Sequence, residues 1–231
     1  MISHKHKCIF VHIPKAAGTS IENVFMDDLG IDMDNRHALL LGVNTNKTLG
    51  PRRVSHLSAK EYVQLHFISQ ELFNNYFKFA FVRNPYDRLF SSYKYRKYDN
   101  YISFDSYIKL KLEDLILSKT EGFFFKTQYE YLYDSEKCLV DFIGKFENIE
   151  NDFNKVLDKL NLKHLKLKHY NQSMPSKSLI YKIKSTGRFL KDFNAWPYLS
   201  FSNTERQLSE KAKEIVIKHY KKDFEIFDYE I

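Results

Sequence analysis

The chain has 231 residues, 43% of them hydrophobic and 16% aromatic, with 7 glycines and 5 prolines. It can bury a sizeable core, which excludes a disordered or low-complexity protein. A formal net charge of +7 favours anionic partners such as nucleotides, acidic glycans, nucleic acid or anionic lipid, without choosing among them.

Residues 1–7 read as a polar lead-in with no signal-peptide core. No apolar run approaches the roughly 18 residues of a membrane span. A cytoplasmic protein is expected if the chain is complete, with no linker dividing a single domain over 1–231. The two cysteines, Cys8 and Cys138, lie in apolar runs and are expected to be reduced, buried thiols.

Residues 8–25 predict a strand, a tight turn and a helix. Ile9, Phe10, Val11 and Ile13 form an apolar run suited to a strand covered on both faces. Pro14 ends it. Gly18 supplies backbone angles closed to other residues, and Thr19 is the expected N-cap. Ile21, Val24 and Phe25 recur at helical spacing. The helix start, with its free amides and positive dipole end, is an anion site. Lys15 and the hydroxyls of Thr19 and Ser20 stand at its mouth.

Residues 32–51 read as a surface loop. Ser58 and Glu61 have capping-box spacing, predicting a helix over 58–65. His56 lies in the turn before it, a setting that suits a packing residue or a catalyst. Phe77–Val82 is a second buried strand. Asn84 then Pro85 starts a helix, with Arg83 at the turn and Ser91 two turns along. The Arg83 guanidinium can hold a phosphate bidentately; Arg88 suits an ion pair. Two such units in one chain favour a ligand with two phosphates.

Phe104–Leu117 is helical in composition, Gly122–Phe125 opens a turn, and Gln128–Leu132 is expected as loop or strand. Residues 139–146 predict a third strand. Asn148 caps a helix whose Ile149, Phe153, Val156, Leu157 and Leu160 share one face. Alternation of strands and helices implies an α/β fold with a central parallel sheet flanked by helices. Residues 169–203 read as a long surface loop. Ser202 and Glu205 have capping-box spacing before a terminal amphipathic helix carrying Leu208, Ala212, Ile215, Val216 and Tyr220.

The segments 14–20 (Pro-Lys-Ala-Ala-Gly-Thr-Ser) and 83–93 (Arg-Asn-Pro-Tyr-Asp-Arg-Leu-Phe-Ser-Ser-Tyr) together resemble the two-part signature of the sulfotransferases. The nearest subgroup is the carbohydrate (family 2) enzymes, which include the heparan 2-O-sulfating enzymes. The turn 55–59 and the stretches 140–148 and 220–229 resemble the same subgroup, so the likeness spans nearly the whole chain. Ala16 departs from the family pattern, where Thr is frequent; one hydroxyl contact to the donor is thereby absent.

The resemblance implies a P-loop-containing nucleotide-hydrolase-like fold and a sulfuryl donor, 3′-phosphoadenosine 5′-phosphosulfate (PAPS), used without a metal. Lys15, Ala16, Ala17, Gly18, Thr19 and Ser20 would hold the 5′-phosphosulfate. Arg83 and Ser91 would hold the 3′-phosphate, with Arg188 near it. His169, Asn171 and Ser173 resemble a further family segment that would line the acceptor or adenine side. The reaction would be in-line transfer to a hydroxyl of a glycan or glycolipid acceptor, with Lys15 stabilising the leaving phosphate and His56 as candidate general base. A composition heavy in Lys, Asn, Ile, Phe and Tyr, with no membrane anchor, leads us to expect a bacterial cytosolic enzyme. Glu22 and Glu61 are alternative bases. Two other classes remain open: a nucleotide kinase on a similar sheet, and a non-catalytic binder of anionic glycan or nucleic acid. The loop 14–20 lacks the Gly-x-x-x-x-Gly-Lys-Ser/Thr pattern of triphosphatases. The lysines are dispersed instead of forming a basic block, which disfavours nucleic acid.

Overall fold

In the computed structural model, which describes residues 1–46, 50–167 and 206–231, the three apolar runs become adjacent strands. The strands are β1 (Ile2–Ser3), β2 (Cys8–Val11), β3 (Phe77–Val82), β4 (Tyr133–Asp134), β5 (Lys137–Cys138) and β6 (Phe142–Lys145). The helices are α1 (Gly18–Leu29), α2 (Glu61–Gln64), α3 (Gln70–Asn75), α4 (Pro85–Tyr95), α5 (Phe104–Leu117), α6 (Gly122–Phe125), α7 (Gln128–Leu132), α8 (Ile149–Lys159) and α9 (Glu210–Ile226). They fall into two units. The described residues of the first are 1–46, 50–83 and 126–167; those of the second are 84–125 and 206–231.

The first unit holds a four-stranded sheet in the order β1-β2-β3-β6, with β4 and β5 as a separate pair. β2, β3 and β6 are parallel, with Phe10 opposite Phe79 and Phe79 opposite Phe142. The expectation of a wholly parallel sheet is corrected: β1 pairs antiparallel with β2, Ile2 against Ile9. The segment 1–7 is not a lead-in. Met1, Ile2 and Ser3 are buried, and the turn at 4–7 is too short for anything but an antiparallel return.

One face of the sheet presents Cys8, Phe10, Phe79 and Phe81. These pack with Ile21, Val24 and Phe25 of α1 and Phe153, Val156 and Leu157 of α8. Each such side chain, fully buried, contributes about 1.5–3 kcal/mol relative to exposure. The residues 32–51 are not all surface, since Leu39 and Leu41 join this core. Both cysteines are free, Cys8 buried and Cys138 half-buried; burial pushes the Cys8 thiol up to about 12.

Three local expectations change. The helix predicted over 58–65 shrinks to α2 (Glu61–Gln64): the Glu61 carboxylate accepts from the Ser58 N–H, but the Glu61 amide donates to the Ser58 carbonyl at 3.0 Å and not to its hydroxyl, so the capping box is half-formed and a turn precedes the helix. Gln128–Leu132 is a helix, not loop or strand: Thr127 and Glu130 form a reciprocal capping box. The third strand is limited to Phe142–Lys145, because the amide of Leu139 instead donates to Leu132 O.

In the second unit, Leu89, Phe90 and Tyr93 of α4 pack with Phe104, Tyr107 and Leu112 of α5 and Val216, Tyr220 and Phe224 of α9. Arg88 makes the ion pair anticipated for it. Its partner is Asp223 at 3.8 Å, both side chains buried, and its guanidinium also donates to Phe124 O at 3.2 Å. α9 is capped by Ser209, whose hydroxyl accepts from the Ala212 amide. The capping box at 202–205 lies outside the described residues.

Candidate active site at the start of the first helix

The loop from β2 to α1 takes its shape from two left-handed residues, Lys15 (φ 69°) and Ala17 (φ 67°). Alternation of this kind turns successive amides toward one concavity that suits an anion. Ala17 O accepts from the amides of Ser20 at 3.0 Å and Ile21 at 3.3 Å, so the helix begins at Gly18. The amides of Gly18 and Thr19 then have no intrahelical acceptor.

Two expectations about this loop are corrected. Thr19 is not the N-cap: it lies exposed inside the first turn, Ala17 holds the cap position, and no side chain caps the helix. Gly18 supplies no left-handed angle either. A Cβ there would lie 1.9 Å from Nε2 of His12, so the histidine ring occupies the space of the missing side chain. Ala16, Ala17 and Ser20 are buried in the same turn.

Lys15 is half-buried. Burial, and after it the Arg83 charge, lowers its ammonium to about 8. Arg83 stands just past the end of β3, and its Nη1 donates to Lys15 O at 3.3 Å. Lys15 and Arg83, one from each motif singled out in sequence, therefore meet. The guanidinium lies 4.0 Å over the Phe146 ring, and the backbone of Arg83 is held by Gln128, which accepts from its N–H and donates to its carbonyl, both at 2.8 Å.

His56 ends a 3-10 turn, Val54–His56. Its Nδ1 lies 3.2 Å from the backbone oxygen of His12. A carbonyl only accepts, so Nδ1 carries the proton and the neutral ring keeps its lone pair on Nε2. Burial, reinforced by the neighbouring His12, pushes His56 well below its ordinary value. The rings of His12 and His56 meet edge to face with centroids 4.4 Å apart, and Nδ1 of His12 lies 2.6 Å from Oε1 of Glu22.

Of the residues singled out in sequence, Lys15, Ala16, Ala17, Gly18, Thr19, Ser20, Arg83 and His56 belong to the first unit, and the contacts above link the loop, Arg83 and His56. Ser91 is half-buried on α4 in the second unit. Arg188, His169, Asn171 and Ser173 lie outside the described residues. Glu61 is taken up by Ser58 and by Lys126 at 3.9 Å. Among the described residues, no three His, Cys, Asp or Glu side chains are grouped to hold a metal ion, and no helix is long and apolar enough to cross a membrane.

Three residues were missed by sequence reading. His12 had a signal: it is the polar interruption of the apolar run 9–13. Phe146 looked like the end of a strand, and a buried glutamine such as Gln128 leaves no local trace.

A family model and one named relative agree. The model of the Sulfotransferase family matches residues 1–230. Human carbohydrate sulfotransferase 9 is 25% identical over 99% of this chain, a match that takes in 52% of the human protein; the chain thus spans about half the length of that relative. An uncharacterised protein of Archaeoglobus fulgidus is 34% identical over 97 residues, 41% of this chain and 76% of the archaeal one. No solved structure matches significantly. With two strand-end cations joined at a helix start, and a family match running from the first residue almost to the last, the chain belongs to the sulfotransferase family.

Proposed function

We propose that the chain transfers a sulfuryl group from PAPS to a hydroxyl of a carbohydrate or glycan acceptor. The observation that carries this reading is the convergence of Lys15 and Arg83 through the 3.3 Å bond between the guanidinium and the Lys15 carbonyl, at a helix start whose first amides are unused by the helix. That donor set fits a nucleotide with two separated anionic groups. On this reading the chain is one sulfotransferase domain with a P-loop-like arrangement, and the name of the human relative gives the acceptor class.

When bound, the donor supplies the sulfuryl group, whose bond to the bridging oxygen of the 5′-phosphate breaks as the acceptor oxygen bonds to sulfur. The amides of residues 17–19 and the side chain of Ser20 bind and orient the 5′-anion, with the Thr19 hydroxyl at the loop's outer edge. Lys15 offsets the charge left on the bridging oxygen. Arg83 binds the 3′-phosphate, for which the family motif also assigns Ser91 and the resemblance adds Arg188. His56 takes the acceptor proton on Nε2 and becomes an imidazolium.

Titration calorimetry with 3′-phosphoadenosine 5′-phosphate, against ATP with magnesium, tests the donor. Tight binding of the bisphosphate without magnesium is expected. Preference for ATP with magnesium would replace this reading with a kinase.

A further inference from the structure

The ring of His12 is the least expected group near the loop. It is buried, stacked on Phe10 with centroids 5.7 Å apart, set against Gly18 where a Cβ would otherwise stand, and edge to face with His56. A buried imidazole bonded to a half-buried carboxylate is costly to desolvate and holds its place through its hydrogen bonds. For packing alone, an aliphatic residue at position 12 would serve, and the backbone oxygen that His56 uses would still be present.

We propose that Glu22 and His12 form a positioning pair for His56. The Glu22 carboxylate accepts from Nδ1–H of His12 at 2.6 Å and so fixes how that ring is turned. The fixed ring limits rotation of the His56 imidazole, while the His12 carbonyl accepts from Nδ1–H of His56 at 3.2 Å and selects its tautomer. The same ring fills the space beside Gly18, a packing role that needs the ring's bulk and not its bond to Glu22, so the pair acts on the direction of Nε2 on His56 and leaves the start of α1 to Ala17. Neither Glu22 nor His12 is assigned a contact with substrate. The catalytic meaning of the pair rests on the sulfotransfer reading; its geometry does not.

The test joins spectroscopy to kinetics. Long-range nitrogen–proton correlation spectra of the wild-type protein should show His56 protonated on Nδ1 and bare on Nε2. The Glu22→Leu variant should show averaged His56 nitrogens and a kcat lowered about 10–100-fold, with bisphosphate Kd within about twofold. Glu22→Gln keeps an oxygen that accepts from His12 and should restore the nitrogen pattern and most of kcat. Wild-type His56 carrying its proton on Nε2 overturns the proposal, even if Glu22→Leu does not fold. So does a Glu22→Leu protein with unchanged kcat and nitrogens, or one in which bisphosphate affinity falls as far as kcat. A wild-type protein that transfers no sulfuryl group sinks the functional reading instead, and the nitrogen pattern alone then decides the positioning.

Discussion

The carboxamide of Gln128 closes two 2.8 Å hydrogen bonds on the backbone of Arg83, accepting from its N–H and donating to its carbonyl. A side chain thereby does what a neighbouring strand would do, just where β3 ends and the ladder with β6 stops at Val82 and Lys145. Gln128 is fully buried, so no water substitutes for it. Gln128→Leu should cost about 1–3 kcal/mol for each backbone group left unpaired and loosen the Arg83 guanidinium. Urea unfolding should report the first effect, and weaker bisphosphate binding the second. Unchanged values of both would show that the contacts of the guanidinium with Phe146 and the Lys15 carbonyl hold Arg83 without Gln128.

Lys15 gives binding and stability opposite responses to pH. Its ammonium, lowered to about 8 by burial and then by Arg83, would titrate at 10.5 in the unfolded chain. Between those values the unfolded state binds more protons, so stability should rise with pH across the window. The cation itself is lost there, so affinity for the bisphosphate should fall as pH passes about 8. Calorimetry and chemical denaturation over pH 7–10 separate the two slopes. Lys15→Met should flatten both and lower kcat about 10²–10³-fold.

His56 should set the acid limb of the rate. Burial and the adjacent His12 hold it well below 6.5, so the neutral base persists through pH 6.5 and is lost only under more acidic conditions. The pH profile of kcat/KM is expected to be flat between about pH 6.5 and 7.5, with the His56 limb below that range and the loss of the Lys15 cation above it. His56→Ala should remove about 10²–10⁴-fold in rate and leave the bisphosphate Kd unchanged. A midpoint near 6.5 would assign the limb to another group.

Ala17 holds a left-handed conformation, φ 67°, that disfavours an L-residue by about 1–2 kcal/mol. Ala17→Gly should therefore stabilise the fold by about 1 kcal/mol, after allowing for the greater freedom of glycine in the unfolded chain. Thermal unfolding measures it; a loss of stability would show that the Ala17 methyl packs for more than its backbone costs.

Much of this architecture was legible because apolar runs and turn residues act locally. The runs 9–13, 77–82 and 139–146 announce strands, the third longer than the strand that forms, Asn84 and Pro85 announce α4, and Lys15 and Arg83 stand out as cations at strand ends. What was not legible came from contacts distant in sequence. The antiparallel β1 depends on Ile2 finding Ile9 across a turn that looks merely polar. Ser58 and Glu61 have capping-box spacing, but the Glu61 amide bonds the Ser58 carbonyl in place of its hydroxyl, and the helix starts later. The pairing of Gln128 with Arg83 spans 45 positions and leaves no pattern in either segment. Gly18 is required for its lack of a side chain and not for a special turn: its backbone is ordinary, and its neighbour is not.

That neighbour makes positions 12 and 18 one unit of inheritance. With Nε2 of His12 only 1.9 Å from where an alanine methyl would stand, a larger residue at 18 fits only if 12 shrinks. A smaller residue at 12 opens a void that 18 can fill. Either change alone should be harmful and the two together milder, so among relatives these sites should vary as a couple, and an engineer who grafts this loop must carry both ends of it.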